Sequence, residues 1–316
     1  MFKRVLVAFS LGAMALAGTV ASATDLKPIR LMYQTTTFGA PIIVALEKGW
    51  YEQALNKVGY TLKTNTATFG PPIVEAMAAG QVDIGELGVA PHVVAVARGL
   101  PIKAVVTTNI AGESVMVSKD SPINSIKDLK GKKIAIPAKG TMQDFIIRRA
   151  LAQNGLTPAD VTWIELSPAD MSTSLLRRQI DAGVLWEPWT ARLLLNGGRM
   201  LESGQQIWPD HDNQLISVTT AAIRDDEPAV RAFVEQTVRG LQYVMDHPDE
   251  SITITAQHLG LDREVVAKAW GNMIRRRSGQ PNPQSLQDFV KALQEWGYIK
   301  RAPTTQDLID TRFLPH

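Results

Sequence analysis

The sequence predicts an α/β fold built as two lobes. Apolar strand-like runs alternate with helical runs. That rhythm restarts twice along the chain, and one short phrase occurs once in each half. The 316 residues also exceed what one hydrophobic core comfortably organises.

The elements follow in order. Ile29 to Gln34 is a first strand, Thr35 to Gly39 a polar turn, and Pro41 opens a helix running to Gly59 with Ile42, Leu46 and Trp50 on one stripe. Strand Thr61 to Thr66 leads through Phe69-Gly70-Pro71-Pro72 to helix Ile73 to Ala79. Strand Val82 to Gly85, a loop over Glu86 to Ala90, a helix from Pro91 and strand Lys103 to Thr108 complete the first block. Glu113 to Ser118 then starts a second. Strand Lys133 to Pro137 feeds helix Gln143 to Asn154, strand Val161 to Leu166 feeds helix Met171 to Arg178, and residues 181–186 close the block. A third begins with strand Leu215 to Ile223 and is mostly helical thereafter. The repeated phrase is Gln81-Val82-Asp83 and Gln179-Ile180-Asp181, each after a helix and before a short strand with a glycine.

The first residues have the pattern of a secretory signal: Lys3 and Arg4, an apolar run from Val5 to Leu16, and Ala21-Ser22-Ala23 as a cleavage site. The run is shorter than the roughly 20 residues that cross a bilayer. Residues 1–23 are therefore expected to be removed on export. Their loss takes two of the 33 Lys and Arg and leaves a balance with the 31 Asp and Glu, which argues against a nucleic-acid partner. Cysteine is absent, which excludes disulfides, thiolate metal sites, a cysteine nucleophile and an N-terminal lipid anchor.

In open α/β sheets, ligands bind beyond the carboxyl ends of strands, where loops enter helices. That rule selects Gln34 to Phe38, Gly70 to Pro72, Glu86 to Ala90, Lys139 to Asp144, and Trp186 with Glu187. Each has a plainer alternative. Thr35, Thr36 and Thr141 could simply cap helices, Gly70 could serve a tight turn, Trp186 could be core, and Glu187 could cap the helix after Pro188. The five histidines show no metal-ligand spacing, and no serine elbow, phosphate loop or dinucleotide fingerprint occurs. Arg275-Arg276-Arg277 is read as a solvated face or partner contact.

The phrases YQTT, PIIVALEKGWYEQ, FGPPIVEAMAAGQVDIGELGVAPH, DLKGKKIAIPAKGT, LSPAD and DAGVLWEPW, together with the closing DLIDTRFL, resemble the periplasmic substrate-binding proteins of ABC importers, in the sulfonate, taurine and nitrate branch. The resemblance implies a type II periplasmic binding fold: two parallel-sheet lobes joined by two hinge strands, with residues 24–112 and 217–316 in one lobe and 113–216 in the other. It implies a periplasmic, monomeric binder with no cofactor and no catalytic site, delivering a small ligand to ABC permease subunits. It places Gln34, Thr35, Thr36, Gly70, Pro71, Glu86, Leu87, Val89, Thr141, Asp144, Trp186 and Glu187 at the ligand. Taurine or another organosulfonate is the first expectation, an aminopyrimidine or aromatic acid the alternative, and an enzyme on the same scaffold the third. Two positions depart from the sulfonate pattern: Val89-Ala90 where relatives often carry a hydroxyl, and Asp144 where many carry histidine. With Glu86 and Glu187, the expected site is acidic.

Overall fold

The computed structural model describes residues 26–315, so the expected signal segment lies outside the described residues. Strand β1 (Lys27–Gln34) enters a 3-10 turn (Thr37–Gly39) and helix α1 (Ala40–Glu47). The single helix expected from Pro41 to Gly59 is broken: Gly49 takes φ 66° and a separate α2 (Trp50–Asn56) follows. Only glycine adopts that left-handed geometry without a Cβ penalty, and the turn gives the second helix its own direction. Next come β2 (Tyr60–Ala67), α3 (Gly70–Ala78), β3 (Ile84–Gly88), α4 (Val89–Ala97) and β4 (Ile102–Ile110). The second block is β5 (Glu113–Ser118), β6 (Lys133–Ile136), α5 (Met142–Gln153), β7 (Thr162–Glu165), α6 (Pro168–Leu176), β8 (Ala182–Trp186), α7 (Trp189–Leu195) and β9 (Gly198–Ser203). A short α8 (Gly204–Ile207) leads to β10 (Asp212–Thr219), followed by α9 (Thr220–Asp225), α10 (Glu227–Asp246), α11 (Pro248–Leu259), α12 (Arg263–Trp270), α13 (Pro283–Glu295) and α14 (Thr305–Leu308).

The strands form two five-stranded sheets, ordered β2-β1-β3-β10-β4 and β7-β6-β8-β5-β9. Neither is purely parallel, contrary to expectation. The triplets β2-β1-β3 and β7-β6-β8 are parallel, but β10 runs antiparallel to β3 and β4, and β5 antiparallel to β8 and β9. The reason is topological: β5 and β10 are the strands on which the chain enters each sheet from the other. Only Ala111 and Gly112 separate β4 from β5. The return lies before Asp212, not at residue 217, because β10 belongs to the first sheet from Asp212 onward. Its opening residues Asp212, Asn213 and Gln214 are buried polar groups and carry no apolar signature. β10 also stops at Thr219, whose hydroxyl caps α9, so the strand expected to reach Ile223 is four residues too long there. The edge strand β9 was not anticipated, since none of its residues is fully buried.

The repeated phrase now has a physical meaning. Asp83 accepts from the Arg30 backbone N–H at 2.9 Å and donates its own N–H to the Arg30 carbonyl at 3.0 Å. Asp181 does the same with Lys133, at 2.8 and 2.9 Å. Each aspartate thus fastens the start of one strand (β3 or β8) to its parallel neighbour (β1 or β6). The glycines that follow are equally matched. A Cβ on Gly85 would lie 2.8 Å from Met77 Sδ, and one on Gly183 would lie 2.7 Å from Met171 Sδ, so each strand lets a helix lie close against it.

Most of the C-terminal third packs with the first sheet's elements, α10 against α1 and α2, but its last stretch also reaches the second half. Phe289 and Trp296 pack against Phe145 of α5, with ring centroids 5.0 and 5.5 Å apart, while α13 also contacts α4. Residues 283–298 therefore rest on both halves.

Candidate ligand-binding cleft

The carboxyl ends of β1, β3, β4 and β8 converge on an aromatic cluster. Phe38, from the turn after β1, packs with Ala191 of α7, with Val265 and Ala269 of α12 and with Met273; Trp186 and Trp270 lie partly buried against this group. Phe38 also closes on the crossing strand: a Cβ on Gly112 (φ 116°) would lie 2.9 Å from its Cζ. Elements of both sheets thus meet at one set of rings.

Around these rings sit polar atoms with nothing to bind. Nine buried side-chain nitrogens and oxygens have no hydrogen-bond partner among the described residues. Seven belong to segments that border the cluster: Thr36 and Thr37 Oγ1, Glu86 Oε1, Thr108 Oγ1, Asn109 Oδ1, Thr190 Oγ1 and Arg275 Nε. Leaving one such group unpaired costs about 1–3 kcal/mol. Native interiors satisfy nearly all of theirs, so a concentration of orphans marks a place built for a guest or for water.

Glu86 and Arg275 supply the charge. Glu86 Oε2 accepts from the Gln34 backbone N–H at 2.9 Å, and its carboxylate lies beside Gly39 at the start of α1. Burial raises its pKa to about 7, against the opposing hydrogen bond from Gln34. Arg275 lies over the Trp270 ring, 4.3 Å from guanidinium carbon to centroid, and burial lowers its pKa to about 10.

The Glu86 shift has a testable sign. The native pKa is raised above the unfolded 4.5, so the associated stability is whole below pH 4.5 and is lost as pH rises through about 7. Glu86→Gln should therefore gain on wild type by up to about 3 kcal/mol between pH 4.5 and 8 in urea unfolding. An offset equal at both pH values would mean that Glu86 does not titrate in this window.

The remaining expected site residues divide clearly. Thr36 and Trp186 stand at the cluster, and Gln34 supports it, its Nε2 donating to Gln214 Oε1 at 3.1 Å. Thr35 is exposed and only its backbone is used, donating to the Ala67 carbonyl. The expected loop at Glu86–Ala90 does not exist: Glu86 to Gly88 end β3 and Val89 begins α4. Leu87 and Val89 are fully buried and pack in the main core rather than in the ring cluster. Gly70 is held by close packing, since a Cβ there would lie 2.7 Å from Pro91 Cγ, and Pro71 lines a surface groove between α3 and α4.

At α5 the capping alternative describes what is seen. Thr141 accepts from the Asp144 N–H and donates to the Ala138 carbonyl. Asp144 Oδ2 accepts from the Gly140 N–H at 2.9 Å and from Tyr298 Oη at 3.1 Å, and Oδ1 accepts from Arg148 Nε at 2.6 Å. That helix N-terminus is filled by the protein's own carboxylate, whose charge Arg148 balances. Glu187 is likewise engaged, accepting from the Ala191 N–H at 3.1 Å and from Asn272 Nδ2 at 2.7 Å; burial raises its pKa to about 7. The cleft is consequently far less acidic than the sequence implied. Thr37 and Phe38 lie in the segment Gln34 to Phe38 that the strand-end rule selected, whereas Thr108, Asn109, Thr190, Trp270, Met273 and Arg275 were not anticipated. Of these only Arg275 carried a signal, the arginine triplet read as a solvated face or partner contact; the structure half-buries it and covers its Nε.

Two mixed α/β sheets, joined by crossing strands and meeting at one ring cluster, match the periplasmic binding protein fold. Among solved structures, the aliphatic sulphonate binding protein SsuA of Escherichia coli superposes with a TM-score of 0.78 at 21% identity, over 90% of this chain and 92% of that one. The alkanesulfonate-binding protein SsuA of Xanthomonas axonopodis pv. citri, bound to MOPS, gives 0.76 at 23% identity over 91% and 99%. The chain belongs to the NMT1/THI5-like family, whose model matches residues 36–251. Among its relatives, an aliphatic sulfonates-binding protein of Bacillus subtilis (strain 168) is 27% identical over 98% of this chain and 94% of its own. A taurine-binding periplasmic protein of Escherichia coli (strain K12) is 26% identical over 71% and 74%. These relatives are named as binding proteins, not enzymes.

Proposed function

We propose that the chain is the periplasmic solute-binding component of an ABC importer: it holds a small organic ligand between its two sheets and delivers it to the inner-membrane permease. The unpartnered polar atoms gathered around Phe38, Trp186 and Trp270 carry this reading. A binder needs groups that are satisfied only when its ligand arrives. The secretory-signal pattern expected at residues 1–23 agrees with such a role. An organosulfonate is the first candidate, taurine included. An aromatic acid is the second, favoured by three aromatic side chains at the cleft. Closure of the sheets on the ligand would favour the form that docks on the permease.

Ligand binding is measurable on purified protein lacking residues 1–23. Taurine, ethanesulfonate, benzenesulfonate, benzoate and an aminopyrimidine are titrated while melting temperature and tryptophan fluorescence are followed. One class should stabilise the fold by about 2.7 kcal/mol at a hundred times its dissociation constant. No response to any of them, with no co-purified small molecule in native mass spectrometry, would reject the proposal. Conversion of a bound compound to product would replace it with an enzyme.

A further inference from the structure

We propose that Arg275 is the counter-charge for an acid group on the cleft's ligand, so that the ligand is an organic anion with an apolar or aromatic body. This deepens the binding-protein reading and rests on it. The arginine triplet separates sharply in space. Arg276 pairs with Asp210 at 2.8 Å and with Asp212 at 3.1 Å, and Arg277 pairs with Asp246. Arg275 makes no ion pair among the described residues. Its Nε is buried without a partner, and its one side-chain contact of hydrogen-bond type is Nη2 to Met273 Sδ at 3.9 Å, a weak acceptor.

Arg275 is half-buried, and a guanidinium held partly out of water without a carboxylate is costly. Its face is used by Trp270, which leaves the donor-bearing edge for something else. Trp270 and Met273 both belong to the group around Phe38 and Trp186, so the edge and the apolar wall serve the same guest. The competing anion site, the N-terminus of α5, is already filled by Asp144 and covered by Tyr298, whose ring lies 3.7 Å from a Cβ built on Gly140. An acid group entering this cleft therefore meets Arg275. Sulfonate and carboxylate both offer paired oxygens that a guanidinium fork can engage.

Arg275→Gln and Arg275→Lys are compared with wild type by calorimetric titration of benzenesulfonate, ethanesulfonate, benzoate and the neutral benzenesulfonamide. Wild type should prefer an acid over the amide by about 100-fold, and Arg275→Gln should erase that preference. Arg275→Lys should keep the preference with acids bound about 10-fold more weakly, as a point charge replaces the fork. Comparison of benzenesulfonate with benzoate tells which acid group is read. The ligand-free glutamine variant should melt at or above the wild-type temperature, because a half-buried cation without an ion-pair partner is removed. If Arg275→Gln keeps the acid preference, or if the sulfonamide or another uncharged probe binds wild type better than any acid, the Arg275 assignment falls while the cleft stands. If nothing binds wild type, both fall.

Discussion

Trp186→Ala is expected to weaken binding of the best ligand by about 100-fold while moving the melting temperature little. Trp186 ends β8 and is only partly buried against the aromatic group, so its ring closes one wall of the cleft from the second-sheet side. Aromatic anchors of this kind commonly carry 2 kcal/mol or more of binding free energy. The same substitution at Trp208 supplies the contrast. Trp208 is 4% exposed and lies between Phe145, at 4.6 Å, and His211, at 4.9 Å, in the main core rather than the ring cluster. Its loss should cost about 3–5 kcal/mol of stability and leave the affinity of the folded fraction unchanged. Calorimetric titration together with thermal melts checks both. A Trp186→Ala protein that melts early but binds normally would return this residue to the core.

Gly240→Ala is expected to destabilise the protein by about 3 kcal/mol, although alanine is the better helix former by about 1 kcal/mol. Gly240 lies on α10 where it crosses α1. A Cβ there would overlap the Pro41 carbonyl oxygen and stand 3.1 Å from its carbonyl carbon, with Ala45 Cβ at 3.5 Å. The obstacle is backbone, which cannot swing aside as a long side chain can, so the helices must separate. Because α1 follows directly on the Thr36–Gly39 turn, ligand affinity should fall as well. Gly271→Ala is the control: the nearest atom to its Cβ would be Lys268 O at 3.6 Å, and no loss is expected. Urea unfolding midpoints of the two variants decide the matter. Equal midpoints would show that the α1–α10 contact yields at no cost.

Most strands and helices were legible because their signals are short-ranged. β5 was anticipated to the residue, and β1 and α5 to within two residues, since alternation, a proline in the first turn or a capping threonine sits within a few positions of what it controls. The same locality explains the errors. The phrase Glu-Leu-Gly looks like a loop between two short elements, yet β10 pairs along it and makes it a central strand. Asp212 to Gln214 look like loop residues for the same reason, until β4 pairs with Asp212 and Gln214 and β3 joins at Gln214.

The site divides along the same line. Which residues are able to cap, carry charge or offer a ring was decided by the sequence alone, as was the repeated Gln-(Val/Ile)-Asp phrase that builds two similar sheets. Which of them are left over for a ligand was decided only by the tertiary structure. Glu187 finds Asn272, 85 positions away, and Asp144 finds Tyr298, 154 positions away, and both are thereby used up. Arg276 and Arg277 find aspartates, whereas their neighbour Arg275 finds none. A side chain's chemistry belongs to its residue, but its availability depends on partners that only the folded chain brings near.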